Sequence, residues 1–192
     1  MKILFQVSSH SYKTYHFLAK RIREKYPESE FAIIGANKPG HGGDFFTNQD
    51  DIKYTYFDHI LNDNEEVKEE INFDIINNFA KKSNSFIWKI IASDRNIGSA
   101  FLHGAYGYDS KYKNNRQYIL KKMEQKITEI ENIFTQFKPD IFIPAMMMGD
   151  IGVSIFEGMC KIYDSYYASV TISRVKNYCS FSNNSMLNLD QI

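Results

Sequence analysis

The stretch that most constrains the fold lies at positions 137–163 and reads FKPDIFIPAMMMGDIGVSIFEGMCKIY. Lys138-Pro139 stops a helix, Ile141–Ile143 forms a short apolar strand, and a turn with glycine and aspartate leads into a second helix. A buried strand that feeds a helix through such a turn is the repeating unit of a parallel α/β sheet. Because ligands of these sheets collect at the carboxyl ends of the strands, this corner is expected to border the working crevice.

Four further runs have the length and composition of strands. Each is short, rich in apolar, β-branched or aromatic residues, and bounded by turn formers, as the strands of a parallel sheet are. The run at the amino terminus is nearly continuous in its apolar character, which suits a central strand. The four predicted strands are residues 2–7, Phe31–Ile34, Tyr54–Phe57 and Ala168–Ile172.

Helix-spaced residues and loops connect these strands. Apolar residues from Tyr15 to Tyr26 recur at helical spacing, and the helix that they predict ends at Pro27. Residues 36–51 are rich in glycine and contain a proline, so a loop is expected there. The residues after Arg174 are mostly polar and are expected to form a tail with no further domain.

A block of helices is predicted between the third and fourth strands, over residues 64–137. Apolar spacing predicts helices at 64–82 and 115–137, and the ambiguous run 86–92 is assigned to a helix. A loop marked by glycines, which contains His103, separates the last two helices. The long helix carries a core-facing stripe at spacings of three and four, formed by Ile119, Met123, Ile127, Ile130, Phe134 and Phe137.

These elements predict an α/β fold in one domain over residues 1–192. The fold is a Rossmann-like, doubly wound parallel sheet of about five strands with an inserted helical block. Right-handed crossovers make the strand order 3-2-1-4-5 the natural one, with the first and fourth strands as neighbours where the winding reverses. The turns after these two strands, Ser8-Ser9-His10 and Met146–Asp150, should then lie side by side.

Composition and motifs argue against several classes of function. The 23 basic and 23 acidic residues cancel, so the chain lacks the basic excess of a nucleic-acid binder. Neither GxGxxG nor GxxxxGK[ST] is present, and the five histidines lack metal-ligand spacing, so we expect no cofactor and no metal. Cys160 is expected to be a buried, reduced thiol. No transmembrane run or signal-peptide core is found, which predicts a cytoplasmic protein.

Polar residues at the predicted crevice are the candidates for chemistry. His10 could act as a general base for a sugar hydroxyl, or could be a solvent-facing turn residue. Asp150 could bind ligand hydroxyls, or could cap the helix that follows it. Arg174, and the pair Asp94-Arg95, are the other charged candidates; an arginine after the fifth strand could clamp a phosphate or carboxylate, or form a structural ion pair.

Two parts of the sequence resemble a known family. They are MKILFQVSSHSYKTYHFLAKRIREKYPESEFAIIG and FKPDIFIPAMMMGDIGVSIFEGMCKIYDSYYASVTISRVKNYCSFSNN. Both are similar to the amino-terminal half of two-domain, GT-B type glycosyltransferases, especially proteins of bacterial capsule and surface polysaccharide biosynthesis. The shared features are a strand with a small-polar-His turn, then a K-P-D strand, polar turn, helix and strand, and a loop with serine and arginine. The Asp94-Arg95 pair within a helical block also resembles that family.

The resemblance implies a role on the acceptor side of sugar transfer. This chain would bind a glycan acceptor, and a second domain absent from this chain would bind a nucleotide-sugar donor. His10 would be the catalytic base, with Asp150 as the second candidate. The substrate-binding residues expected from the resemblance and from the crevice are Ser9, His10, Arg95, His103, Asp150 and Arg174.

Two other functions stay open at this point. The zero net charge and the lack of a strong catalytic signature favour a non-catalytic binding or assembly module. Half of a sugar-nucleotide epimerase would share the two-domain architecture. Nucleic-acid binding and a membrane span are not expected, whereas peripheral membrane association and a homo-oligomer are left open.

Overall fold

Two compact units make up the structure, a computed structural model that describes residues 1–8, 11–35, 43–58, 70–94, 116–145, 151–172 and 179–183. The first unit comprises Met1–Ile60, Thr135–Met148 and Asp164–Ile192. The second comprises Leu61–Phe134 and Gly149–Tyr163. The division follows the inserted helical block, because most of the block belongs to the second unit.

A five-stranded parallel sheet forms the centre of the first unit. Its strands are β1 (Lys2–Gln6), β2 (Glu30–Gly35), β3 (Tyr54–Asp58), β4 (Ile141–Ile143) and β5 (Tyr166–Tyr167). They are arranged in the order β3-β2-β1-β4-β5, and every neighbouring pair is parallel. The predicted α/β class, the Rossmann-like topology and the order 3-2-1-4-5 are therefore confirmed.

The apolar character of β1 explains its central place. Ile3, Leu4 and Phe5 are all buried, and β1 pairs with β2 on one side and with β4 on the other. A strand that is covered on both faces must be apolar at successive positions rather than at alternate ones. The buried residues clustered on one face of the sheet and under its helices are Ile3, Phe5, Val7, Tyr15, Ala19, Phe31, Ile33, Phe46, Ile52, Ile143 and Ala168.

Two helices belong to the amino-terminal part of this unit, α1 (Tyr12–Lys25) and α2 (Gly43–Asn48). The first was predicted, but the prediction of a loop throughout residues 36–51 is wrong because α2 lies within it. Aromatic packing outweighs the low helix propensity of the local glycines. The Phe46 ring is buried, and its centroid lies 4.9 Å from the centroid of the Tyr54 ring. After the helix, the side chain of Gln49 bonds the backbone of Phe46 and Ile52, which fixes the chain leading into β3.

The prediction that Ala168–Ile172 forms the fifth strand of the parallel sheet is wrong. That place is taken by β5, and pairing with β4 ends where the Ala168 N–H donates to the Phe142 carbonyl over 2.9 Å. The chain then forms β6 (Ser169–Ile172), which pairs antiparallel with β7 (Cys179–Ser182) in a separate two-stranded sheet. The predicted polar tail therefore contains a strand. The alternation of polar and apolar residues in β6 suits such a ribbon better than a doubly buried sheet.

Four helices make up most of the second unit: α3 (Phe73–Ser83), α4 (Ile87–Ser93), α5 (Arg116–Phe137) and α6 (Ile151–Ile162). The three residues at the end of α5 fall in the first unit. The predicted helical block and the assignment of run 86–92 to a helix are confirmed. Within the described residues, no helix is both long enough and apolar enough to cross a membrane.

The helix predicted from residue 64 begins at Phe73 in the structure, and residues 70–72 are not helical; residues 64–69 lie outside the described part. Asn72 sets this start because its side chain accepts from the Asp74 N–H over 3.1 Å, which caps the helix. Its own N–H donates to the Glu124 carboxylate over 3.0 Å. The segment before α3 is thus held on α5.

The stripe predicted on α5 is confirmed, since all six of its residues are buried. A buried ion pair lies on the same helix: the Lys121 ammonium is 3.1 Å from the Glu124 carboxylate, and the two side chains are only 6% and 11% exposed. The ammonium also donates to the Glu70 carbonyl over 2.9 Å. Both charges therefore have partners, which a buried charge needs.

Glycine at position 158 lets α6 approach α3 closely. A Cβ atom there would lie 2.5 Å from Cζ of Phe79, a distance that real Cβ atoms essentially never show. Phe79 is itself buried, so its ring has little room to move aside. On the same helix, the Glu157 carboxylate lies 3.0 Å from the Lys161 ammonium, and the lysine side chain is the more exposed of the two.

Cys160 is buried and free, as predicted, and burial raises the pKa of its thiol to about 12. The folded state favours the neutral thiol, so this contribution to stability is complete below the ordinary pKa of 9.0 and is lost as the pH rises towards 12. In a Cys179→Ser variant, we expect Cys160 to resist a thiol reagent at neutral pH and to react once the chain is denatured. Reaction at the same rate in both states would contradict the burial of this thiol.

Candidate functional site

The carboxyl edge of the sheet between β1 and β4 is the candidate site, because the winding reverses there. Phe5 of β1 is paired with Ile143 of β4, so the two strands reach this edge together. On the other side of β1, the Val7 N–H donates to the Ile34 carbonyl over 2.8 Å and extends the pairing to the end of β2. The prediction that the first and fourth strands are neighbours is confirmed.

Two serines shape the start of the turn after β1. The Ser11 hydroxyl accepts from the Ser8 N–H over 2.9 Å and lies 3.0 Å from the Ser8 hydroxyl. The Ser11 N–H donates back to the Ser8 carbonyl over 3.1 Å. Ser11 precedes α1, yet its hydroxyl makes no capping hydrogen bond to the helix. The first turn of α1 contains no acidic residue of its own to balance the positive end of the helix dipole.

A buried tyrosine ties the ends of the two strands together. The Tyr15 hydroxyl, on α1, donates to the carbonyl of Pro144, which directly follows β4. The Tyr15 ring stacks on Phe5 of β1 with 5.4 Å between centroids. One side chain therefore contacts both β1 and the residue at which the chain leaves β4, which holds the two strand ends in fixed register.

Tyr15→Phe tests this tie. The change keeps the ring stack but leaves the buried Pro144 carbonyl without this donor, so we expect the free energy of unfolding to fall by about 1 kcal/mol. Urea unfolding measures it, with Tyr12→Phe on the same helix as the control. An equal loss in both variants would show that the hydroxyl of Tyr15 has no special role.

All of the predicted site residues lie outside the described part of the chain: Ser9, His10, Arg95, His103, Asp150 and Arg174. The described residues next to them in the sequence show which edge of the sheet they follow. Ser8 and Ser11 bracket Ser9 and His10, and the strand before Asp150 ends at the same edge as β1. Whether His10 and Asp150 meet stays a prediction.

Asp94 acts at the start of a helix, a role that was not predicted. Its buried carboxylate accepts from the Ile151 N–H over 2.7 Å, at the first residue of α6. A carboxylate at this position satisfies a free backbone N–H and favours the positive end of the helix dipole. Because the two residues are 57 apart in sequence, no local pattern could have indicated the contact.

A second polar cluster lies around His16 in the first unit. Nδ1 of His16 is 3.0 Å from the Tyr54 hydroxyl, and its Nε2 is 3.7 Å from the Asp51 carboxylate. The hydrogen bond and charge of Lys20, 2.5 Å away, lower the pKa of Asp51, and burial raises the pKa of the Tyr54 phenol. The Phe45 ring packs edge-on against the imidazole. The histidine is buried and has polar partners, so the arrangement reads as structural.

Among the described residues, no group of three or more potential metal-ligating side chains occurs. A shallow depression of about 400 Å³ is lined by Glu70–Asp74. Because one continuous segment lines it, it lacks the convergent polar groups of a ligand site.

The carboxyl edge thus places the part-buried Ser8 hydroxyl beside the amino-terminal end of α1, and a helix amino terminus suits an anionic small molecule. Comparison with family models, with curated proteins and with solved structures gives no match to this chain.

Proposed function

We propose that this chain is the acceptor-side domain of a glycosyltransferase that acts in surface polysaccharide or glycan biosynthesis. The observation that supports it most is the reversal of winding between β1 and β4, which brings the Ser8–Ser11 turn and the end of β4 to one edge. In open α/β sheets, that position is where ligands bind. The resemblance of the sequence to GT-B type enzymes supplies the reaction class.

In the proposed reaction, the acceptor glycan lies at this edge and a nucleotide-sugar donor is held by a second domain. A base takes the proton of the acceptor hydroxyl. His10 is the first candidate for this base and Asp150 is the second. The hydroxyl oxygen then forms a bond to the anomeric carbon as the bond from that carbon to the nucleotide phosphate breaks. The nucleotide leaves with the bonding electrons, and the proton remains on the base.

His10→Ala tests the base assignment. General-base catalysis contributes about 10²- to 10⁴-fold, so we expect sugar transfer in the protein that holds both domains to fall by that factor. Thr14→Ala, an exposed position in the first turn of α1, is the matched control and should retain activity. Unchanged transfer in His10→Ala would remove His10 as the base and leave Asp150 to be tested in the same way.

A binding module without catalysis is the second candidate. At the described part of the β1–β4 edge, the polar side chains are the part-buried Ser8 and the buried Gln6, Ser11 and Tyr15. None of these is a carboxylate, an imidazole or an amine, so the described part of this edge supplies no strong acid or base. Sugar binding by the intact protein without any transfer, and without loss of binding in His10→Ala, would favour this module over the enzyme.

A further inference from the structure

Exposed aromatic side chains lie at the turn between α3 and α4. Phe86, the residue before α4, is 70% exposed, and Trp88 in the first turn of α4 is 38% exposed. The backbone of the corner is well bonded: Asn84 ends α3 in the left-handed conformation at φ 52, and the N–H groups of Lys89 and Ile90 donate to the Phe86 carbonyl. The fold therefore presents two large apolar side chains to solvent from an ordered turn.

Cationic residues accompany these aromatic residues, in space and in sequence. The guanidinium carbon of Arg116 lies 5.2 Å from the centroid of the Trp88 ring. Residues 80–92 contain three lysines and no acidic residue, although the chain as a whole has zero net charge. Lys82 precedes Phe86 by four positions, so their Cα atoms lie within about 14 Å. The aromatic-basic corner is defined by Lys81, Lys82, Phe86, Trp88, Lys89 and Arg116.

A comparison within the same chain shows what sets this corner apart. Phe17 on α1 is also 62% exposed, and Arg21 lies over its ring, but this guanidinium is 2.8 Å from the Glu24 carboxylate. The four cations of the aromatic-basic corner have no carboxylate within ion-pair distance among the described residues. Within the described residues, no ion pair therefore neutralises their positive charge.

We propose that the aromatic-basic corner docks the chain on the anionic surface of a membrane. Lysine is depleted in protein–protein interfaces, whereas segments that lie on membranes combine lysine and arginine with tryptophan and phenylalanine. Tryptophan suits the headgroup region because its ring is apolar and its N–H polar. Anionic lipid headgroups supply the opposite charge that the four cations lack.

Nucleic acid also attracts aromatic and basic residues together, but a nucleic-acid binder presents a basic stripe or a domain-wide basic excess. The aromatic-basic corner contributes four cations to a chain whose net charge is zero, so no domain-wide basic excess accompanies it. The proposal concerns the second unit alone and does not rest on sugar transfer at the sheet edge.

The protein carries its own probe for this proposal, because Trp88 is its only tryptophan. We expect vesicles of phosphatidylcholine with about one third phosphatidylglycerol to shift the Trp88 emission to shorter wavelength and to carry the protein with them in flotation. Vesicles of phosphatidylcholine alone should have a much smaller effect. Raising the salt from about 0.1 M to about 1 M should weaken the binding, since it shortens the Debye length from about 10 Å to about 3 Å.

Substitutions separate the charge from the aromatic contact. Lys81→Gln/Lys82→Gln should reduce partitioning onto the anionic vesicles by about 30-fold, and Phe86→Ala by about tenfold. Both lysines and Phe86 are exposed, so the fold should tolerate these changes. Phe17→Ala and Lys53→Gln alter exposed residues of the first unit and should leave partitioning unchanged.

Three results would overturn the proposal. The first is no emission shift and no flotation with anionic vesicles. The second is equal binding to both kinds of vesicle with no effect of the glutamine variant. The third is an emission shift that follows protein concentration or added single-stranded oligonucleotide rather than lipid, because the corner would then be a contact for a second copy or for nucleic acid.

Discussion

Lys121→Met is expected to lower the free energy of unfolding by about 3–5 kcal/mol, because it leaves the Glu124 carboxylate buried without its cation. The same change removes the donor to the Glu70 carbonyl. Urea unfolding followed by the emission of Trp88 reports on the unit that contains the pair. Lys161→Met is the control: its lysine is 54% exposed and the Glu157 partner 15% exposed, so this pair is partly screened by solvent and its loss should cost less than the loss of the Lys121 pair.

The double variant Lys121→Met/Glu124→Leu tests the cause of the loss. Removing the carboxylate as well removes the unpaired charge, so most of the lost stability should return, although the Asn72 N–H then lacks its acceptor. A double variant as unstable as Lys121→Met would show that the packing of the lysine, rather than the charge left behind, stabilises the unit.

Gly158→Ala is expected to destabilise the second unit by about 2 kcal/mol, even though alanine is favoured over glycine in a helix by about 1 kcal/mol. The new methyl group would lie 2.5 Å and 2.7 Å from two carbons of the Phe79 ring and 3.2 Å from Cβ of Ser83. To relieve the overlap, α3 and α6 must move apart or the buried ring must leave its rotamer. Thermal unfolding measures the loss.

Phe79→Leu provides the control for this clash, because leucine lacks the ring carbons that the methyl group would meet. In that background, Gly158→Ala should cost less than in the parent protein, and the difference is the coupling energy of the two positions. If Gly158→Ala were neutral or stabilising in the parent protein, the two helices would be less closely packed than the structure shows.

Local sequence patterns predicted the sheet well because its central strands differ sharply from their surroundings. The apolar run that became β1, the K-P-D entry into β4 and the stripe along α5 each carry a strong, regular signal. The right-handedness of crossover connections between parallel strands then leaves few possible strand orders, and the structure has the predicted one. The predictions failed where long-range contacts decide: α2 forms in a glycine-rich segment because Phe46 packs against Tyr54, and Ala168 ends the pairing with β4.

The site could be predicted only as a position in the fold. Sequence patterns placed polar turns after the first and fourth strands, and the adjacency of these strands is confirmed. The tie from Tyr15 to Pro144 and the bond from Asp94 to Ile151 join residues 129 and 57 positions apart, so no motif could have indicated them. The lysines at 81 and 82 and the aromatic pair at 86 and 88 were visible in the sequence, but their exposure was not.

Amide chemical-shift mapping tests the proposed ligand edge most directly. The labelled protein would be titrated to about millimolar concentration with glucose, maltose and uridine diphosphate glucose, since single sugars bind weakly. We expect the shifted amides to cluster at Val7, Ser8, Ser11, Tyr12 and Ala145, where β1 and β4 end. Shifts confined to Glu70–Asp74 or to the β6–β7 ribbon, or no shifts with any of the three, would contradict a ligand site at this edge of the sheet.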